Sequence, residues 1–164
     1  MFITLNKFIK LFFTEKELNK KHYFINKFCE NINKEYIKNL VNDKNNKILL
    51  YSINNKLSDN YKNEIIGIII YRIILYNNTK IRIYISLISI HKNMRDMGYG
   101  NIIIEEFINK FNKNKIIEFV LLSLPSSYEF YKKIGFEKTN IKYIQKKEII
   151  DNNIMMIKIN NILL

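Results

Sequence analysis

Alanine and tryptophan are absent from this 164-residue chain, proline and cysteine each occur once, and glycine occurs only four times. The single cysteine, Cys29, excludes a disulfide framework and a thiolate zinc cluster, and reads as a buried, inert thiol. His22 and His91 are the only histidines and lie too far apart in sequence to suggest a metal site, so no metal is expected. Arginine is almost as scarce, with only Arg72, Arg82 and Arg95. Glycine scarcity makes each glycine informative. Gly98 and Gly100 stand one residue apart, which points to a backbone that turns sharply and lets something approach closely.

A hydrophobic content of 48%, with 13% aromatic residues, is enough to bury a core and argues against disorder. The length predicts one domain, residues 1–164. The formal charge of +12 comes almost wholly from lysine. Abundant Ile, Asn and Lys is the usage that AT-rich coding sequence produces, so the charge favours anionic ligands without naming one. The lysines are spread along the chain and pairs such as Lys132-Lys133 read as solvated surface, which disfavours a nucleic-acid partner. The longest apolar stretch, residues 65–76, is too short to span a membrane and contains Arg72. Residues 1–13 are broken by Lys7 and Lys10, with no small-residue cleavage site after them. They read as a first strand running into a helix of an intracellular protein, cytoplasmic or nuclear. An uncleaved interfacial helix is the alternative.

Thr14-Glu15-Lys16-Glu17 has the capping-box pattern, and Leu18, His22, Ile25, Cys29 and Ile32 follow at helical spacing. Asn33 is placed to cap a second helix with Tyr36, Ile37, Leu40 and Val41 inward. Turn residues at 43–46, 54–63 and 77–79 separate strands predicted at 47–53, 64–75 and 80–90. A helix follows at 101–112, then an apolar strand at 116–124 and a short helix at 126–134. Two last strands are predicted near 137–146 and 153–159, with Met155 and Met156 in the core. The short connections make the first meander antiparallel, whereas the strand after the 101–112 helix can return parallel to the one before it.

Arg95-Asp96-Met97-Gly98-Tyr99-Gly100 therefore joins a strand to an amphipathic helix. The first amides of that helix lack intrahelical partners, the helix dipole adds partial positive charge, and glycine lets a phosphate approach. No G-x-x-x-x-G-K-[ST] run is present, so this is not a P-loop. No acidic residue is placed for a ribose, which disfavours a dinucleotide fold.

These residues resemble the GNAT superfamily of acetyl-CoA-dependent N-acetyltransferases. The run from Ile90 through Arg95, Gly98 and Gly100 is similar to the family's R-x-x-G-x-G/A donor-binding turn. Phe130-Tyr131-Lys132-Lys133-Ile134-Gly135-Phe136 is similar to its later F-Y-x-x-x-G-F segment, and Gly67 falls where the family often has a glycine. The chain departs from the pattern at Lys92, where a proline is frequent, and at Asp96, an acid beside a phosphate site. It also has Leu124-Pro125-Ser126-Ser127 where an asparagine is often found.

The resemblance implies an α/β (α+β) fold: a mixed, mostly antiparallel seven-stranded sheet with helices on both faces and a splayed parallel strand pair. It implies acetyl-CoA as cosubstrate and direct transfer to a primary amine on a protein, peptide or small molecule. Ile88, Ser89 and Ile90 would bulge and pair with the pantetheine arm. Arg95, Asp96, Met97, Gly98, Tyr99, Gly100 and Asn101 would grip the diphosphate. Tyr131 would protonate the leaving thiolate. Glu118, or Tyr84 and Ser86 holding a water, are candidates for the base, and His91 reads as a solvated loop residue. A catalytically weak acyl-CoA-binding protein and a basic nucleic-acid-binding domain are the alternatives. The protein is expected to be a monomer or homodimer without a membrane partner.

Overall fold

The computed structural model describes residues 1–12, 21–30, 32–54, 64–75, 80–111, 116–139, 143–145, 148–150 and 154–159. Its strands are β1 (Phe2–Thr4), β2 (Lys47–Ser52), β3 (Ile65–Leu75), β4 (Lys80–Ile90), β5 (Ile116–Leu122), β6 (Glu137–Lys138), β7 (Tyr143–Gln145), β8 (Glu148–Ile150) and β9 (Ile154–Ile159). Its helices are α1 (Leu5–Phe12), α2 (Lys21–Asn26), α3 (Lys34–Asn42), α4 (Tyr99–Lys110) and α5 (Tyr128–Lys133). A seven-stranded sheet runs in the order β1-β2-β3-β4-β5-β9-β6, and β7 and β8 form a separate two-stranded sheet. β1–β2, β2–β3, β5–β9, β6–β9 and β7–β8 pair antiparallel, and β4 pairs with β5 in parallel. The β4–β5 connection carries α4, the crossover helix that a parallel return requires.

The chain divides into two compact units, residues 1–72 with 87–105, and residues 73–86 with 106–164. In the first, the Thr4 hydroxyl accepts from the Lys7 amide and caps α1. Asn33 caps α3 by accepting from the amides of Glu35 and Tyr36 at 2.8 and 3.2 Å. Phe8 and Phe24 meet with ring centroids 5.1 Å apart, and Phe24 and Phe28 at 5.5 Å. Ile25, Ile37, Val41, Leu50 and Ile68 close the same core. Removing each such side chain from water contributes roughly 1.5–3 kcal/mol.

Gly67 on β3 fixes a close approach in this unit. A Cβ there would lie 2.6 Å from Ile103 Cδ1, 3.1 Å from Ile90 Cδ1 and 3.3 Å from the Ser89 carbonyl oxygen. The missing side chain seats the first half of α4 against the strand end that leads into it.

In the second unit, Lys80 to Ile85 pair in parallel register with Ile116 to Leu121. β9 lies antiparallel on the other edge of β5, from Ile117↔Ile159 to Leu122↔Ile154. Phe107 and Phe111 on α4 pack edge to face on each other at 5.1 Å, and on Phe119 of β5 at 5.8 and 6.0 Å. Arg82 and Glu118 are register partners, and the Arg82 Nε and Nη2 both donate to Glu118 Oε2, at 3.0 and 2.7 Å. Glu118 is buried, and the Arg82 guanidinium pairs with its carboxylate within the sheet.

Several expected elements are corrected. The helical stripe expected through Leu18, His22, Ile25, Cys29 and Ile32 does not stay helical to its end. α2 ends at Asn26, and Cys29 follows it in turns closed by amides donating to carbonyls three residues back. The Thr14 capping box and Leu18 lie outside the described residues, as does the His22 side chain. Tyr36 is exposed and Leu40 only half-buried, because α3 turns its first residues to solvent and buries Ile37 and Val41. The strand expected over 137–146 is two short pieces, and one of them pairs with β8 in a hairpin. Among the described residues, no helix is long and apolar enough to cross a membrane.

Candidate functional site

β4 ends at Ile90, and the next residues are folded by local hydrogen bonds. The His91 amide donates to the Ile66 carbonyl at 2.8 Å, anchoring the strand end to β3. His91 Nδ1 accepts from the Asn93 amide at 3.4 Å and caps the 3-10 turn Lys92–Met94. The His91 ring also packs edge to face on Phe28, centroids 5.7 Å apart. The histidine is half-buried and structural rather than a solvated loop residue, which corrects the sequence reading. Arg95 closes the turn: its amide donates to Lys92 O at 3.3 Å and its Nε to Ile90 O at 3.2 Å.

The glycine turn follows. Asp96 has φ +61° and Gly98 has φ +79°. The left-handed region suits glycine and is tolerated by aspartate better than by most residues. Asn101 N–H and Ile102 N–H donate back to the Gly98 carbonyl at 3.1 and 3.4 Å, which starts α4. Tyr99 and Gly100, the first residues of that helix, have no carbonyl four residues earlier within it, so their amides face outward at its positive end. Among the described residues, a Cβ built on Gly98 meets nothing within 4 Å. Open space, a left-handed backbone and a helix N-terminus are the geometry that suits an anion.

The predicted donor residues are thus contiguous through the end of β4, the 3-10 turn and the start of α4. Arg95, Asp96, Met97, Gly98 and Asn101 are exposed, and Tyr99 and Gly100 are half-buried. Ile88, Ser89 and Ile90 form the last residues of β4. The parallel ladder with β5 ends at Ile85↔Leu121 among the described residues, while β4 continues to Ile90. Lys92 pairs with Glu30 at 3.0 Å.

The second motif builds α5. Pro125 opens a 3-10 turn, and α5 ends in a left-handed cap at Gly135, φ +98°. The Gly135 amide donates to Lys132 O and the Phe136 amide to Tyr131 O, each at 3.0 Å. That double closure is the Schellman arrangement, in which a residue just past the glycine packs back on the helix. Phe136 is that residue: it is buried and meets the Tyr131 ring edge to face at 5.7 Å, with Phe130 on the other side at 5.1 Å. The second motif is therefore a device for locking one tyrosine in a fixed orientation. Burial pushes the Tyr131 phenol up from 10.0 to about 12, so it stays protonated at neutral pH. A proton-bearing phenol is a donor, not a base.

Among the base candidates, Glu118 is held by Arg82 and is not available as a free carboxylate. No motif or spacing marks Phe28 and Glu30 as neighbours of the strand end, some sixty residues further along the chain. The Ser89 hydroxyl donates a short hydrogen bond to the Phe28 carbonyl. Cys29 is buried, and burial raises its thiol to about 11 despite the Ser89 hydrogen bond and the Arg95 charge. Among the described residues, no cluster of His, Cys, Asp and Glu could hold a metal ion.

A family model described as "Acetyltransferase (GNAT) domain" matches residues 13–158. Among curated proteins none matches by sequence. Among solved structures, the fold is similar to GCN5 of Tetrahymena, with a TM-score of 0.65 and 20% identity over 93% of this chain and 96% of that one. It is similar to Arabidopsis thaliana NAA60 in complex with acetyl-CoA, TM-score 0.55 and 14% identity over 98% and 99%. It is also similar to an aminoglycoside acetyltransferase from an uncultured soil metagenomic sample in complex with sisomicin, TM-score 0.55 and 14% identity over 89% and 93%. At these identities the structural likenesses speak for the fold, and the family match speaks for descent. The chain belongs to the GNAT acetyltransferase family.

Proposed function

We propose that the chain, acting as one domain over residues 1–164, transfers the acetyl group of acetyl-CoA directly to a primary amine. The single observation that carries this reading is the turn from β4 into α4. Its Gly98 has φ +79° and open space where a side chain would stand, at the N-terminus of a twelve-residue helix. A diphosphate matches that cradle in charge and in the close approach it permits. Arg95, Asp96, Met97, Gly98, Tyr99, Gly100 and Asn101 are the proposed diphosphate grip, with the main chain of Ile88, Ser89 and Ile90 serving the pantetheine arm. The exposed Asp96 carboxylate opposes an anion, so its amide is the useful group there.

In the reaction the amine nitrogen attacks the thioester carbonyl carbon, the C–S bond breaks, and the thiolate leaves. A main-chain amide near the end of β4 would stabilise the oxyanion. Tyr131 gives its phenolic proton to the departing sulfur, a role open to it because the buried phenol carries its proton at neutral pH. The amine must lose a proton as well. With a pKa of ~10.4 it is mostly charged at neutral pH, and freeing it costs about 4–5 kcal/mol. Because Arg82 holds Glu118, a water carried by Tyr84 or Ser86 is the proposed proton acceptor.

The test is label transfer from acetyl-CoA to pools of peptide amino termini, protein lysines, amino sugars and polyamines. Transfer to one class is expected. Tight acetyl-CoA binding with no transfer to any class would favour an acyl-CoA-binding protein without catalysis, and no binding at all would end the reading.

A further inference from the structure

We infer that residues 28–30, in the turns that follow α2, are a positioning element that holds the donor turn in its binding shape. The inference rests on the proposed acetyl-CoA site and names what supports that site from behind. Two residues of this turn, Phe28 and Glu30, reach the segment 89–92 through three kinds of contact. The Phe28 carbonyl accepts the Ser89 hydroxyl, the Phe28 ring packs on His91 at 5.7 Å, and Glu30 pairs with Lys92 at 3.0 Å. Each contact falls on a residue that shapes the path into the glycine turn. Ser89 is the penultimate residue of β4, His91 caps the 3-10 turn, and Lys92 begins it. Arg95 then ties back to Ile90. The turn is thus fixed at its strand end by its own hydrogen bonds and by residues 28–30.

The Ser89 contact has a backbone acceptor and lies partly buried, so it is the firm part of the latch. The Glu30–Lys92 pair is about half exposed, at 43% and 56%, and solvent screening keeps its share small. Its value here is diagnostic. If Lys92 served only as a cation near the diphosphate, removing the Glu30 charge would leave Lys92 freer and tighten donor binding. If the pair positions the turn, the same change loosens it.

The experiment measures acetyl-CoA affinity by calorimetry, KM for acetyl-CoA, kcat at saturating donor, and thermal melting. The proteins are the full chain, Glu30→Gln, Lys92→Glu, the charge-swapped Glu30→Lys with Lys92→Glu, and Ser89→Ala. The expected result is weaker donor binding in Glu30→Gln, by about two- to fivefold, with kcat at saturation retained. A larger loss is expected in Ser89→Ala, and recovery in the charge swap relative to Lys92→Glu alone. Donor affinity that rises or stays level in Glu30→Gln, with no recovery in the swap, overturns the inference. So does a KM change that merely follows a fall in melting temperature. Failure of the unaltered chain to bind acetyl-CoA would instead strike the functional reading on which this one rests.

Discussion

The Phe136 amide donates to the Tyr131 carbonyl at 3.0 Å while the two rings meet edge to face at 5.7 Å. Backbone and side chain thus clamp the same tyrosine, and both depend on Gly135 taking φ +98°. Space is not the constraint, since among the described residues a Cβ at Gly135 would touch only Ile157 Cδ1, at an ordinary 3.5 Å. Gly135→Ala should therefore lower stability by about 1–2 kcal/mol through backbone strain alone. Denaturant unfolding checks this, and an unchanged midpoint would show that the cap does not depend on glycine.

Tyr131→Phe keeps the ring and its packing and removes only the phenolic proton. Turnover should fall by about 10²-fold while acetyl-CoA affinity stays near its original value. A stability signature accompanies it. The folded state raises this phenol from 10.0 to about 12 because burial disfavours the phenolate. The associated stability is complete below pH 10 and is lost as pH rises toward about 12. Urea unfolding at the two ends of that window should show a shallower alkaline loss in Tyr131→Phe. Identical pH dependence in both proteins would contradict the burial assigned to the phenol.

Gly67→Ala tests the close approach of α4. The new methyl would start 2.6 Å from Ile103 Cδ1 and 3.3 Å from the Ser89 carbonyl oxygen. The isoleucine tip can move, whereas the carbonyl belongs to the strand end that precedes the glycine turn. A stability loss of about 1–3 kcal/mol is expected by calorimetric melting, together with weakened acetyl-CoA binding. Full stability would mean that the helix shifts without cost.

Cys29 should be inert in the folded protein. With its thiol raised to about 11, only about one molecule in a thousand carries thiolate at pH ~8, and the side chain is buried as well. Timed labelling with a thiol reagent should proceed only after denaturant is added. Rapid labelling of the native protein would show that the 28–30 turns open readily.

What could be read in advance follows how local each signal is. β4 has the span 80–90 that its apolar run predicts, and Asn33 caps α3 as its side chain suggests. The glycine turn and the F-Y-x-x-x-G-F segment were legible because rare residues mark backbone conformations that few others adopt. The helical stripe from Leu18 to Ile32 extends too far. Its apolar spacing continues through Cys29 and Ile32, which bury themselves in turns as readily as in a helix. The break of 137–146 into β6 and a separate hairpin leaves no mark in an evenly polar stretch. The Ser89–Phe28 and Arg82–Glu118 contacts join residues 61 and 36 positions apart, and no periodicity within one element reports such pairs. That is why Glu118 looked like a free carboxylate.

The account turns on main-chain nitrogens at the start of α4 binding a diphosphate. The most direct measurement is calorimetric titration of acetyl-CoA into the full chain and into Gly98→Val. The valine occupies space that is open in the free protein, at φ +79°, so its branch stands where the ligand must come. The account predicts saturable binding to the unaltered chain and at least about tenfold weaker binding to Gly98→Val, with both proteins unfolding cooperatively. Equal affinity in the two would contradict it.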